Sequence, residues 1–147
     1  MSWIDAFQDL LNSDMPEIKV VLSDVYQPEH LNKGEYIRYY ITDESEADKF
    51  ANGVTKNYSI SLYYYFDETR YRKEKIHDRM WDRATDLRTV LESNYYYSSG
   101  TYYWHNLSID SVQYFMNASD FGLEEEGFET IKAVVFEITL TRNENIS

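Results

Sequence analysis

DETRYRKEKIHDRMWDRATDLRTVLE, residues 67–92, carries seven of the fourteen lysines and arginines of this chain. The bases are Arg70, Arg72, Lys73, Lys75, Arg79, Arg83 and Arg88; seven acids balance them: Asp67, Glu68, Glu74, Asp78, Asp82, Asp86 and Glu92. The formal net charge of −12 therefore lies in the rest of the chain. Turning about 100° per residue places Ile76, Met80, Ala84, Leu87 and Leu91 within an arc of roughly 80°, the apolar stripe of a helix lying on a core. A helix over Thr69–Ser93 is predicted. Glu74, Asp78, Asp82 and Asp86 form an i,i+4 row nearly opposite that stripe, while Arg72, Lys75, Arg79 and Arg83 run along its edge. Like charges at i,i+4 repel, and the i,i+3 pairs Lys75–Asp78, Arg79–Asp82 and Arg83–Asp86 compensate by a few tenths of a kcal/mol each. Such a helix either faces solvent or offers separated acidic and basic rows to a neighbouring subunit.

Outward from this helix the periodicity changes from 3.6 to 2. On its N-terminal side Tyr58, Ile60, Leu62, Tyr64 and Phe66 alternate with Ser59, Ser61, Tyr63 and Tyr65, the clearest strand pattern in the chain. Tyr36–Thr42 alternates Ile37, Tyr39 and Ile41 against Tyr36, Arg38 and Tyr40, a strand with one apolar face. Asn52-Gly53 is a turn signal, so the two strands form a hairpin, with the acidic stretch Asp43, Glu44, Glu46 and Asp48 as its tip. Ile18–Leu22 reads as a short strand. Before it, Trp3, Phe7, Leu10 and Leu11 recur at helical spacing behind Ser2 and Asp5, which have the form of a capping box. On the C-terminal side two strands are expected, about 102–115 and 130–141. In the first, Leu107 and Ile109 give way to Val112 and Tyr114, a phase slip that predicts a bulge. The order α–β–β–β–α–β–β over one domain, residues 1–147, indicates an α+β fold: an antiparallel-dominated sheet of about five strands with both helices on one face.

Composition narrows the function. An apolar share of 43% supports a real core, and 15 tyrosines make the aromatic share unusually high. No stretch is apolar enough for a membrane span, and Met1–Leu11 lacks the form of a secretory signal. The absence of cysteine excludes disulfides, thiolate metal sites and a cysteine nucleophile. With a sequence pI near 4.6, specific nucleic-acid binding is not expected, because that affinity comes largely from lysine and arginine displacing counterions.

No catalytic or cofactor signature stands out. The glycines form no phosphate-cradling loop, and there is no G-x-S-x-G elbow. His30, His77 and His105 fall in three different elements without ligand spacing. Asp120 with Glu124, Glu125 and Glu126 has oxygen donors for calcium, but not the spacing of an EF-hand, and reads as a solvated acidic loop. Neither enzymatic activity nor a cofactor or metal is expected. The aromatic groups Tyr95–Tyr97 and Tyr102–Trp104 flank a turn at Ser98-Ser99-Gly100. They are either core or an interface, with Tyr96, Tyr102 and Trp104 as the candidate contact residues.

The order of elements resembles that of the tail-terminator (tail-completion) proteins at the neck of tailed bacteriophages. The resemblance rests on the opening helix 3–11, the strands containing Tyr36–Thr42 and Tyr58–Phe66, the charged helix 69–93 and the pair 102–115 and 130–141. It spans nearly the whole chain and rests on fold and size, so it assigns no functional residue. It implies a virion protein made in the host cytoplasm, a hexameric ring without enzymatic activity joining the tail tube to the head connector. Its partners would be copies of itself and neighbouring neck and tail-tube proteins, with no membrane. In such a ring Arg72, Lys75, Arg79 and Arg83 of one subunit would face Asp78, Asp82 and Asp86 of the next. Acidic loops at Asp43, Glu44, Glu46 and Asp48 and at Glu124–Glu126 would line the lumen and repel passing DNA. Other head–tail connector or tail-tube components have comparable layouts. The alternative from a different class is a monomeric module that binds a glycan or peptide through its tyrosine-rich surface.

Overall fold

A computed structural model describes residues 2–99, 102–123 and 127–145. Helix α1 (Trp3–Asp14) is followed by β1 (Lys19–Leu22), β2 (Glu35–Phe50), β3 (Gly53–Asp67), α2 (Ile76–Ser93), the short strands β4 (Tyr97–Ser99) and β5 (Tyr102–Trp104), β6 (Asn106–Phe115) and β7 (Ile131–Asn145). The main sheet has five strands in the order β1-β2-β3-β7-β6, and β4 and β5 pair separately. The fold is α+β, and the sheet is mixed: β1 runs parallel to β2, and the other neighbours are antiparallel. A parallel neighbour requires a long crossover. Residues 23–34 provide it, passing over the face opposite the helices, where Tyr26 and Leu31 pack.

Both helices lie on one face. Trp3, Phe7 and Leu11 of α1 and Ile76, Met80, Ala84, Leu87 and Leu91 of α2 join Ile60, Leu62, Tyr64, Val134, Phe136 and Ile138 in one core. The capping box at Ser2 and Asp5 forms, with Asp5 N donating to Ser2 Oγ at 3.2 Å and Ser2 N to Asp5 Oδ2 at 3.0 Å. Tyr39 Oη donates to Gln8 Oε1 at 2.6 Å and Gln8 Nε2 donates to the Val20 carbonyl at 2.8 Å, which ties α1 to β1 and β2.

Four expectations need correction. The strand Tyr36–Thr42 is expected to have one apolar face, but the opposite face of the sheet, with Tyr36, Tyr65 and Val135, is buried too, in a second, smaller core under Leu31, Phe121, Leu123 and Phe128. Tyrosine allows this because its ring is apolar and its hydroxyl can reach a polar partner at the margin. The helix of 69–93 begins only at Ile76: Glu68–Arg70 and Lys73–Lys75 are single 3-10 turns separated by extended Tyr71 (φ −133°, ψ 160°). The strand of 102–115 breaks at His105 into β5 and β6; its phase slip is a register shift between Ile109 and Ser111, a bulge at Asp110.

The fourth concerns the acidic tip. Asp43, Glu44, Glu46 and Asp48 are not a loop but the outer half of β2, which pairs with β3 as far as Phe50. Since β1 covers only residues 36–39, and β7 runs on beside β3 to Asn145, the result is an arm three strands wide. Its outer edge carries charges and two register shifts, the usual protection of an open strand edge. Lys56 sits across the strands between Glu44 (3.2 Å) and Glu144 (3.5 Å).

Gly53 closes the arm by close approach: a Cβ there would lie 2.3 Å from the Glu144 carbonyl oxygen and 2.6 Å from the Phe50 ring. Gly53→Ala is expected to cost about 1–3 kcal/mol. Amide hydrogen exchange should quicken at Val54–Asn57 while the α2 core stays protected. Unchanged exchange in the arm would show that the contact relaxes without penalty.

Candidate functional site

The bases and acids of 67–92 are divided by the fold rather than set out as two parallel rows. Glu35, at the start of β2, has a side chain 5% exposed and is the point on which half of the basic row converges. Arg79 Nε donates to Glu35 Oε2 at 2.7 Å, and Arg83 Nε lies 3.4 Å from Oε1. Tyr64 Oη donates to Oε1 at 2.6 Å and Tyr71 Oη to Oε2, and Arg83 Nε also donates to Tyr64 Oη at 2.9 Å. The extended Tyr71 that interrupts the expected helix is therefore the residue whose hydroxyl reaches this carboxylate. Burial pushes the Glu35 carboxyl upward, but the hydrogen bonds from Tyr64, Tyr71 and Arg79 and the Arg79 charge outweigh it and hold the carboxyl below its ordinary range. Burial, followed by the nearby Glu35 charge, pushes the Tyr64 hydroxyl far up; burial and the hydrogen bond to Glu35 do the same to Tyr71. A carboxylate with both oxygens engaged and a depressed pKa is a poor general base. The cluster fastens α2 to β2 and β3.

Arg83 and the partly exposed Arg79 thus tie α2 to Glu35, and reversing both would set two further carboxylates against it. Arg72 and Lys75 precede α2 and are exposed. Asp78, Asp82 and Asp86 are exposed on α2, with Asp86 3.2 Å from Arg83. Trp104 is no contact residue. It is fully buried between Phe7 (ring centroids 6.0 Å) and Tyr97 (4.7 Å, stacked), and its Nε1 donates to the Asn94 carbonyl at 2.8 Å. Tyr96 and its neighbour Tyr95 are exposed. The side chain of Tyr102 and residues Glu124, Glu125 and Glu126 lie outside the described residues.

One surface residue escaped the sequence reading. Trp81 is 59% exposed on α2, beside Asp82 and one turn from Asp78 and Thr85. On the helical wheel it stands about 100° from the centre of the apolar stripe, so the pattern carried this signal. Exposed tryptophan on an acidic helix face is uncommon, since indole is enriched in buried contacts between proteins. The outer face of α2 with Trp81, the exposed pair Tyr95 and Tyr96 and the acidic arm each depart from a plain solvated surface.

Among the described residues no group of three or more His, Asp or Glu is placed to hold a metal ion. No helix is long and apolar enough to cross a membrane. No protein-family model matches the chain, and no curated protein matches it either.

Proposed function

We propose that the chain is a structural subunit of a tailed-phage neck, a tail-terminator ring component that joins the tail tube to the head connector and lets DNA pass. The observation that carries this reading is the three-stranded arm, whose outer strand Asp43–Phe50 is exposed along its length and bears Asp43, Glu44, Glu46 and Asp48. A dense acidic edge resists pairing with a copy of itself and repels phosphate, the property required of a wall past which DNA slides. The element order on which the resemblance rests is retained, with the short strand β4 added after α2 and the strand of 102–115 divided into β5 and β6. In this reading the contact between subunits is built on the outer face of α2, with Trp81 as its apolar centre and Asp78 and Asp82 beside it. A heterologous contact of that kind closes into a ring when the rotation between copies divides a full turn.

The test is the absolute mass of the purified protein by light scattering after gel filtration, over a wide range of concentration and salt, alone and mixed with purified tail tubes. A salt-sensitive ring mass is expected. Trp81→Ser should abolish it while leaving the melting temperature within about 2 °C, because exposed substitutions rarely change stability by more than about 0.5 kcal/mol. A monomer at every concentration and salt that also leaves tail tubes uncapped overturns the reading.

A further inference from the structure

On the face opposite the helices, a cleft of about 490 Å³ opens between the crossover 23–34 and the segment before β7. Its floor is Arg38 of β2, which is 6% exposed, and its walls include Tyr26, Tyr40, Tyr63, Phe121 and Phe128. A buried guanidinium normally faces a carboxylate, since an uncompensated buried charge is costly. Here no carboxylate of the described residues lies within 4.0 Å of it. Its contacts are with neutral groups: Nε and Nη2 donate to Tyr65 Oη at 3.0 and 2.6 Å, and Nη1 donates to the Ser23 carbonyl at 3.3 Å. The charge lies over the Tyr63 ring at 4.3 Å, with Tyr40 at 5.4 Å and Tyr65 at 5.6 Å. Those rings soften the burial of the cation but do not neutralise it. A guanidinium has five N–H donors, and these three contacts, among the described residues, leave two of them.

We propose that this cleft binds a small monocarboxylate carried on an aromatic body, with the carboxylate on the free donors of Arg38. Two features select this class. The guanidinium presents coplanar N–H groups that match the two oxygens of a carboxylate. A single positive charge, with exposed Asp24 at the rim and a chain of net charge −12, suits one negative charge better than the two of a phosphate. For the body of the ligand, Tyr26 and Phe128 already meet edge to face at 80°, and a third ring can pack on this group in the same way. The volume falls within the range of roughly 300–1,000 Å³ found for small-molecule sites. The site is independent of the neck reading and of assembly through α2.

Phenylacetate is the probe, followed by nitrogen–proton NMR of the full chain at neutral pH. A saturable shift of the Arg38 Nε–H signal is expected, with a dissociation constant on the order of 1 mM, as suits a ligand of about ten heavy atoms. Phenylacetamide has the same shape without the charge and should bind at least tenfold more weakly, a comparison that needs no variant. Arg38→Met should lower affinity for the acid about tenfold or more, and Arg38→Lys, which keeps the charge, should lose less. An acetylated dipeptide ending in phenylalanine presents the same chemistry at a chain terminus. Tighter binding of that peptide than of phenylacetate would identify the source of the carboxylate as a peptide end, and the reverse order as a free acid. Equal binding of acid and amide, or no saturable shift up to about 20 mM, overturns the proposal.

Discussion

Trp104→Ala is expected to destabilise the protein by about 3–5 kcal/mol, the usual cost of truncating a fully buried aromatic side chain. At roughly 2–4 °C per kcal/mol for a domain of this size, the melting temperature should fall by about 6–20 °C. Three losses combine. The indole leaves a void between Phe7 of α1 and Tyr97 of β4, two elements that meet through it. The Asn94 carbonyl at the end of α2 loses its donor. The join between the small strand pair and the main core loosens as well. Trp104→Phe keeps most of the volume but also lacks the N–H donor, so it should cost markedly less; its residual loss reports mainly the hydrogen bond, and its gap to the alanine variant reports the void. Thermal unfolding followed by circular dichroism separates these outcomes, and a loss under about 1 kcal/mol for the alanine variant would show that the surrounding rings close over the void.

Glu35→Gln should cost about 2–4 kcal/mol at neutral pH, because it leaves Arg83 and the partly exposed Arg79 around an oxygen that no longer carries charge. Its pH dependence is a sharper test. Tyr64, Tyr71 and Arg79 hold the folded-state carboxyl below its unfolded value, so the unfolded chain binds more protons in the window between those two values. Stability from Glu35 is therefore complete above the unfolded carboxylate range, about pH 4.3 for glutamate, and is lost as pH falls through the depressed folded value. The difference in stability between wild type and Glu35→Gln should be largest at neutral pH and shrink as the medium is acidified. Denaturant melts at intervals between neutral and acid pH measure it. A difference independent of pH would mean that the packing of the side chain matters and its charge does not. Glu144, whose carboxyl is lowered by Tyr58 and Arg142 against the opposing effect of burial, adds a second acid-sensitive contribution in the arm, and it cancels in this comparison.

Much of the architecture follows from local patterns. The stripe Ile76, Met80, Ala84, Leu87 and Leu91 is buried as the 3.6-residue period requires, and the alternation in Tyr58–Phe66 and Val134–Leu140 puts those residues on the helix-covered face. The Ser2–Asp5 cap and the bulge at Asp110 were also legible, since each depends on residues close in sequence. What misled was amphipathicity read one face at a time. Tyr36 and Tyr65 alternate like surface residues, yet loops arriving from 23–34 and from the segment before β7 cover them, and no pattern within a strand announces a loop that crosses it.

The candidate surfaces divide in the same way. Trp81 could be found from its position on the helical wheel. Glu35 and Arg38 could not, because their significance lies in partners distant along the chain: Tyr64, Tyr71 and Arg79 stand 29, 36 and 44 residues from Glu35, and Tyr65 stands 27 from Arg38. In sequence Glu35 is one acid among 26, and Arg79 and Arg83 belong to a tidy row of bases. Burial turned those two into ties, because a carboxylate withdrawn from water must be met by the nearest available donors.

The amino-acid sequence by itself determined the order of the main elements, the face each helix buries and the acidic character of the chain, since periodicity, caps and net charge are local or additive properties. Tertiary structure alone decided which charges are consumed internally and which remain available. That outcome depends on long-range contacts and on solvent exclusion: Glu35 lies beneath two arginines, whereas Arg38 lies among rings with two donors unspent among the described residues.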